Sequence, residues 1–143
     1  MTETIAIASD HAGFDLKAVL ARLLEGQGYK VLDLGPLEQE KVDYPDSANA
    51  LAEKIRNGEA ARGVLICGSG IGISIAANRH PWIRAALCHD GLSARLARQH
   101  NDANVLVLGA RLIGVEVALD CLDLFLKTPF DGGRHAPRVA KLG

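Results

Sequence analysis

Short, mostly apolar runs alternate with stretches of helical periodicity along the whole chain. The apolar runs cover residues 5–8, 31–34, 63–67, 84–88 and 104–108. Runs of this kind, apolar at successive positions, are typical of strands that are covered on both faces. The alternation predicts an α/β fold with one domain spanning residues 1–143. Its core would be a doubly wound, Rossmann-like, five-stranded parallel sheet with helices on both faces.

Helical patterns occupy the segments between the predicted strands. They cover residues 16–24, a segment that starts at Asp46 or Ser47 and ends near Asn57, a segment after Gly72, and residues 92–99 and 113–126. Glycines at 26 and 28 stop the first helix, and the side chain at 46 or 47 can cap the second. Residues 128–143 are interpreted as a basic C-terminal tail.

The expected strand order places a ligand between two loops. In the order 2-1-3-4-5, the direction of winding reverses between strands 1 and 3, and ligands bind at such switch points. The loops after these strands are Ser9–Gly13 and Cys67–Gly72, and both are unusual in composition. The sequence therefore predicts a binding site between them.

The second of these loops combines a cysteine with glycines at alternate positions. Gly68, Gly70 and Gly72 follow Cys67, and a helix opens after them. Backbone N–H groups left unpaired at such a turn, together with the helix dipole, favour an anion and an ionised thiol. The spacing differs from that of the dinucleotide fingerprint, and the Walker lysine is missing. Glycines also serve tight turns, and a free cysteine is often a core residue, but the position at a strand end favours function.

Composition excludes several other classes of function. The chain has 143 residues, a net charge of −1 and only 4% aromatic residues. It therefore lacks the basic charge and the stacking surface that nucleic acids or anionic membranes require. The N-terminus enters a strand pattern without a leader, so we expect a cytoplasmic protein. Cys67, Cys88 and Cys121 form no CxxC pair, which argues against a disulfide framework.

Two arginines near the C-terminus are candidates for binding a phosphate. Arg134 and Arg138 are four residues apart and would share one face of a helical turn, with His135 between them. The forked guanidinium suits a phosphate dianion, although a solvated basic tail has the same composition. Arg111 follows the fifth strand and lies at the ligand edge of the sheet. The histidines show no metal-ligand spacing, so no metal site is predicted.

Several segments, in order along the chain, together resemble one enzyme family. They are Ser9-Asp10-His11-Ala12-Gly13, Asp43-Tyr44-Pro45, residues 67–78, Arg98-Gln99-His100-Asn101-Asp102, Leu108-Gly109-Ala110-Arg111 and Gly132-Gly133-Arg134-His135. The chain resembles the type B ribose-5-phosphate isomerases, in the group that also contains galactose-6-phosphate and allose-6-phosphate isomerases. The resemblance implies interconversion of ribose 5-phosphate and ribulose 5-phosphate through a cis-enediolate, without a metal or an organic cofactor.

The resemblance also implies roles for individual residues. Cys67 matches the general base, Ser69 the residue that assists its thiolate, and His100 the residue that opens the furanose ring. The N–H groups of residues 68–74 match the anion hole for the enediolate. The positions that match substrate-binding residues are Asp10, His11, Tyr44, Gly68, Ser69, Gly70, Ile71, Gly72, Asn101, Arg111, Arg134 and Arg138. One branch of the family has a glutamate base where this chain has Ile73, so the base here falls to Cys67.

Topology adds a prediction about assembly. The fourth helix starts at the ligand edge, so His100 at its end lies at the opposite edge of the same subunit. If His100 acts at the site, it comes from a neighbouring chain, which predicts a homodimer with two shared sites. Pairing of dimers into tetramers stays open.

Three alternatives to the ribose-phosphate assignment remain open. One is an isomerase of allose 6-phosphate or galactose 6-phosphate, because the sequence does not give the depth of the site. Another is a non-catalytic sensor of sugar phosphates. The third is a cysteine-dependent hydrolase or phosphatase, which the missing CxxxxxR spacing disfavours. Each alternative still has a small-molecule partner.

Overall fold

Parallel strands and helices alternate in the computed structural model, which describes residues 2–143. The strands are β1 (Thr4–Ser9), β2 (Lys30–Asp33), β3 (Arg62–Cys67), β4 (Ala85–Leu87) and β5 (Val105–Gly109). The helices are α1 (Phe14–Gly26), α2 (Tyr44–Arg56), α3 (Ile71–Asn78), α4 (Gly91–Asn101), α5 (Val115–Lys127) and α6 (Ala136–Ala140). Two short 3₁₀ helices cover His11–Gly13 and Gly133–His135.

The sheet is parallel throughout and confirms the predicted fold class, but the predicted strand order is wrong at one end. The observed order is β2-β1-β3-β5-β4. The fifth strand is buried at every position, whereas the fourth is short and only partly buried. A strand that is apolar on both faces gains most from a central place, so β5 lies next to β3 and β4 takes the edge. The switch point between β1 and β3 is unaffected.

Two apolar layers hold the helices against the sheet. One face of the sheet packs against α1, α4 and α5, with Phe125 and Leu122 among its fully buried side chains. The other face packs against α2 and α3 and buries Leu51 and Ile73. Alternate residues of β1 and β3 point into the two layers, which fixes Cys67 on the α2–α3 side.

The second helix begins earlier than the sequence suggested. Its first residue is Tyr44, with Asp43 in an extended conformation before it and Pro45 in the first turn. Proline fits the first turn because its missing N–H would have no partner there. Ser47, one of the two expected capping residues, is buried inside the helix and donates a hydrogen bond to the carbonyl oxygen of Ser9 (2.8 Å). This contact ties α2 to the end of β1, beside the predicted site.

The free edge of β4 is covered by a side chain. The amide of Asn78, at the end of α3, donates to the carbonyl oxygen of Ala85 (2.9 Å) and accepts its N–H (2.8 Å). Asn78 therefore makes the pair of hydrogen bonds that another strand would make at this position.

The predicted basic tail is folded against α4. The N–H of Asp131 donates to the carbonyl oxygen of Gln99 (3.0 Å), and the second 3₁₀ helix and α6 follow. Within residues 2–143, every helix is too short or too polar to cross a membrane.

Candidate active site

Cys67 is the last residue of β3 and the first of the glycine loop. Its sulfur accepts the N–H of Gly70 (3.2 Å), while the hydroxyl of Ser69 accepts the N–H of Ile71 (3.1 Å). The hydrogen bond to the sulfur thus comes from the backbone of the loop and not from the Ser69 side chain. Ser69 instead holds the start of α3 in place.

Glycine is required at one position of this turn and at one position of the strand beside it. Gly70 has φ +79°, and a Cβ there would lie 2.5 Å from Leu87 Cδ1 and 3.0 Å from the carbonyl carbon of Leu108. Gly109, at the end of β5, faces the loop so closely that a Cβ would lie 2.6 Å from the carbonyl carbon of Ser69. The loop is therefore seated directly on the end of β5.

N–H groups of the loop are available to an anion. Within residues 2–143, those of Gly68, Ser69 and Gly72 have no hydrogen-bond acceptor. They lie at the start of α3, where the helix dipole adds a positive partial charge. The arrangement can therefore stabilise negative charge that develops on a bound molecule.

An open cavity of about 590 Å³ lies above this loop. It is lined by Asp10, Tyr44, Cys67, Gly68, Ser69, Ile71, Gly72, Arg111 and Leu112. Eight of these nine residues were predicted from the sequence; Leu112 was not. The predicted meeting of the loops after β1 and β3 thus occurs in the structure.

The polar side chains of the cavity are held by local contacts. Asp10 is buried, and its Oδ1 accepts the N–H groups of Ala12 (2.9 Å) and Gly13 (3.2 Å). The ring of Tyr44 lies against Gly72, where a Cβ would be 2.6 Å from Tyr44 Cζ. The guanidinium of Arg111 lies beside Gly68, and the backbone N–H of Arg111 donates to the Gly68 carbonyl oxygen (2.9 Å). The cavity therefore offers a carboxylate, a phenol and a cation around the thiol.

His11 lies next to this cavity, in the 3₁₀ turn after Asp10. Its Nδ1 accepts the N–H of Val42 (3.4 Å), and its carbonyl oxygen accepts a hydrogen bond from Gln39 (3.1 Å). These contacts join the first loop to the segment that leads into α2.

A second group of predicted residues lies elsewhere, where the C-terminal segment meets the end of α4. The rings of His100 and His135 are stacked, with centroids 4.4 Å apart and planes 14° apart. Asp131 is beside them, and Arg134 and Arg138 are near enough to influence His135. Partial desolvation lowers the pKa of His135, and the nearby His100, Arg134 and Arg138 lower it further.

The two groups lie at opposite ends of the strands. Cys67 and Arg111 are at the carboxyl ends of their strands. The end of α4 lies at the amino ends of the strands. The carbonyl oxygen of Asp102, which follows α4, accepts a hydrogen bond from Arg84 Nε (2.8 Å), and Arg84 directly precedes β4. A strand of five or six residues is about 17–20 Å long, so His100, Asn101, Arg134 and Arg138 cannot reach Cys67 of the same chain.

The other two cysteines are poorly suited to chemistry. Burial raises the pKa of Cys88, and it raises the pKa of Cys121 to about 12. Both thiols belong to the core packed against α4 and α5. A thiolate near neutral pH is therefore not expected at either position.

The chain is similar to known proteins over nearly its whole length. The Ribose/Galactose Isomerase family model matches residues 5–142. A ribose-5-phosphate isomerase B of Escherichia coli is 46% identical over 135 residues, which is 94% of this chain and 91% of that protein. A D-erythrulose-4-phosphate isomerase of Pectobacterium atrosepticum is 44% identical, over 98% of this chain and 93% of that protein. The crystal structure of a ribose 5-phosphate isomerase from Thermotoga maritima has a TM-score of 0.96 and 54% identity, covering 99% of this chain and 98% of that one.

Proposed function

Because the chain belongs to the ribose/galactose isomerase family, we propose that it interconverts ribose 5-phosphate and ribulose 5-phosphate. It is an aldose–ketose isomerase, and relatives with this activity in their names match it nearly end to end. The observation that supports this function best is the Cys67 sulfur, which accepts a backbone N–H in a cavity lined by further N–H groups. We place the enzyme in the cytoplasm, where its three free thiols would stay reduced.

The mechanism that fits this site is a proton transfer by Cys67. Its thiolate removes the C2 proton of the open-chain aldose, the electron pair forms the C1–C2 double bond, and negative charge moves to the C1 oxygen. The loop N–H groups hold this oxyanion; loss of one such donor typically costs about 3–4 kcal/mol. A proton passes from the C2 oxygen to the C1 oxygen, and return of the first proton to C1 gives the ketose. Ser69 supports this arrangement by fixing the loop.

The remaining residues bind the substrate at its two ends. Asp10 and Tyr44 face the sugar hydroxyls, together with the backbone of residues 68–72. Arg111 and His11 attract the phosphate from the Cys67 side. Arg134 and Arg138 complete the phosphate site, Asn101 adds a sugar contact, and His100 opens the furanose ring. These last four residues belong to the second group of side chains, at the amino ends of the strands.

A complete site therefore requires two chains in a homodimer. Each of its two sites combines the Cys67 cavity of one chain with the His100 group of the other. Exposed apolar side chains lie at the cavity and beside it, as an interface requires: Ile71 and Leu112 line the cavity, and Ile75 lies one turn after Ile71 on α3. Such exposed apolar clusters mark contact surfaces.

The first test is a direct assay with ribose 5-phosphate, allose 6-phosphate and galactose 6-phosphate, without added metal. We expect ribose 5-phosphate to be the preferred substrate. We expect Cys67→Ala to lose about 10²–10⁴-fold in kcat, the usual contribution of a positioned base. Cys88→Ala, which removes a core thiol, is the matched control and should keep its activity. Full activity in Cys67→Ala overturns the assigned base, and binding without turnover of any sugar indicates a sensor.

The second test is complementation between two inactive variants. Cys67→Ala and His100→Ala chains are mixed under conditions that allow subunits to exchange. A hybrid dimer contains one site with both residues intact, so activity should return to as much as about half of the native value per hybrid. Absence of recovery after exchange has been verified by mass spectrometry excludes a shared site.

A further inference from the structure

We propose that His100, Asp131 and His135 form a binding site for a divalent transition-metal ion such as Zn²⁺, and that metal bound there inhibits the enzyme. The binding site itself does not depend on the proposed function; the inhibition does, because it acts through His100. The proposed reaction needs no metal at this site, because the proton transfer uses Cys67 and backbone N–H groups.

Three ligand atoms of suitable type converge at this place. One atom from each of the three side chains lies within 4.8 Å of the others. In a tetrahedral zinc site with bonds of about 2.0–2.1 Å, ligand atoms are about 3.3 Å apart. Side-chain rotations that close the gaps by up to about 1.5 Å bring these atoms to that spacing. Two imidazoles and a carboxylate are a common zinc ligand set, and they leave one position for water.

The backbone holds the three ligands together before any metal arrives. His100 is in the last turn of α4, and the N–H of Asp131 donates to the carbonyl oxygen of the adjacent Gln99 (3.0 Å). His135 ends the 3₁₀ helix, where its N–H donates to the carbonyl oxygen of Gly132 (3.0 Å). The two rings are stacked with centroids 4.4 Å apart, and they must tilt out of this stack for both to point a nitrogen lone pair at one ion. Binding therefore turns the side chains about their torsions while the backbone that carries them stays in place.

Charge and exposure set the strength of the site. Asp131 supplies one negative charge and is exposed, and both histidines are half-buried, so an ion in solution can reach them. Arg134 and Arg138 add positive charge nearby and oppose a dication. We therefore expect binding weaker than in structural zinc sites, which enclose the ion with four protein ligands.

Metal at this site removes His100 from catalysis. A ring nitrogen that coordinates the ion can neither give a proton to the ring oxygen of a sugar nor take one from its hydroxyl. Inhibition then arises without any change at Cys67. This distinguishes the site from direct capture of zinc by the catalytic thiol.

The decisive experiment measures Zn²⁺ binding by calorimetry in Cys67→Ser, which removes the reactive thiol. We expect one zinc ion per chain. Adding Asp131→Asn or His135→Gln to that background should weaken binding at least tenfold, about 1.4 kcal/mol. His89→Gln, at an exposed histidine outside the cluster, is the control and should bind like the parent. Equal affinity in all four proteins, or no binding in the parent, overturns the site, whether or not the protein is an isomerase.

A second measurement tests the inhibition. Zinc should inhibit the wild-type enzyme reversibly on ribose 5-phosphate, and EDTA should restore activity. Asp131→Asn should keep its activity without metal and need at least ten times more zinc for half-inhibition. The same half-inhibiting concentration in Asp131→Asn and wild type would show that zinc acts elsewhere, and would exclude the inhibitory role.

Discussion

At the scale of single residues, Cys67 differs from the other two cysteines in its surroundings. Its sulfur faces a cavity and accepts the N–H of Gly70, whereas Cys88 and Cys121 are enclosed by apolar side chains. Burial raises the pKa of both of these core thiols. The sequence indicated this division, because Cys67 ends a strand and precedes glycines.

We expect alkylation to follow this division. At about pH 8, iodoacetamide should modify Cys67 and leave the other two thiols intact, since only a thiolate reacts and a raised pKa keeps a thiol protonated up to higher pH. Peptide mass spectrometry measures the modified positions. Cys67→Ser is the control and should remain unlabelled while folded, and all three cysteines should react in urea. Rapid labelling of Cys121 in the folded protein would contradict the assignment.

The proposed role of His100 can be separated from general damage to the site with a shorter substrate. A tetrose 4-phosphate carries its phosphate on the oxygen that would close a furanose ring, so it needs no ring opening. His100→Ala should therefore lose about 10²-fold or more on ribose 5-phosphate and keep kcat/KM within about fivefold on erythrose 4-phosphate. Equal losses on the two sugars would show that His100 acts in another way. Cys67→Ala, which removes the proposed base, should fail on both.

The side chains that lie beside His100 could not be predicted from the sequence. Asp131 and His135 are more than thirty residues away, in a segment that looked like a solvated tail. Their meeting depends on the hydrogen bond between Asp131 and Gln99, which no periodicity or motif reveals. By contrast, Asp10 and Cys67 were predictable as neighbours because both follow strands on either side of the switch point.

At the scale of elements, the glycine loop depends on the strand beside it. Gly109 belongs to β5, yet its missing side chain makes room for the Ser69 backbone. This close approach exists because β5 lies next to β3, which is the part of the strand order that the sequence did not predict. The signal was present in composition, since β5 is apolar throughout and β4 is short.

A methyl group at Gly109 should therefore disturb a loop that is distant in sequence. In Gly109→Ala, the Cβ would meet the backbone of Ser69, so the loop must move and the Cys67 sulfur with it. We expect a loss of about 1–3 kcal/mol in stability and of about 10²-fold in kcat/KM. Gly26→Ala is the matched control, because nothing lies within 4 Å of a Cβ there. Urea unfolding and steady-state kinetics measure both effects; an active Gly109→Ala enzyme would contradict this account.

At the scale of the whole molecule, the two groups of proposed site residues face away from each other. The helix after each strand carries the chain back to the amino ends of the strands. A residue at the end of α4 is therefore about one strand length from the loops after β1 and β3. This part of the arrangement follows from topology and was predictable. The surface that brings two chains together was not, because side chains such as Ile75 also fit the pattern of a buried helix face.

A charge on that surface should separate the chains of the proposed dimer. Ile75 is 57% exposed in the single chain, so Ile75→Asp should fold normally. Burying an isoleucine is worth about 1.5–3 kcal/mol, and a symmetric dimer contains the change twice. We expect the dissociation constant to rise at least about 10²-fold and activity to fall on dilution. Leu37→Asp, at a side chain that is 76% exposed in the loop after β2, is the control and should remain dimeric. Light scattering measures the mass, and a dimeric Ile75→Asp would place the interface elsewhere.

The amide of Asn78 has a consequence for how the protein behaves at high concentration. An open sheet edge is a template on which other chains can add strands and aggregate. At β4, the N–H and carbonyl of Ala85 are already paired with Asn78, so an incoming strand would have to displace a bond that the molecule makes with itself. A single side chain thus occupies the position on the short edge strand where another strand would pair, which disfavours growth of the sheet from this edge.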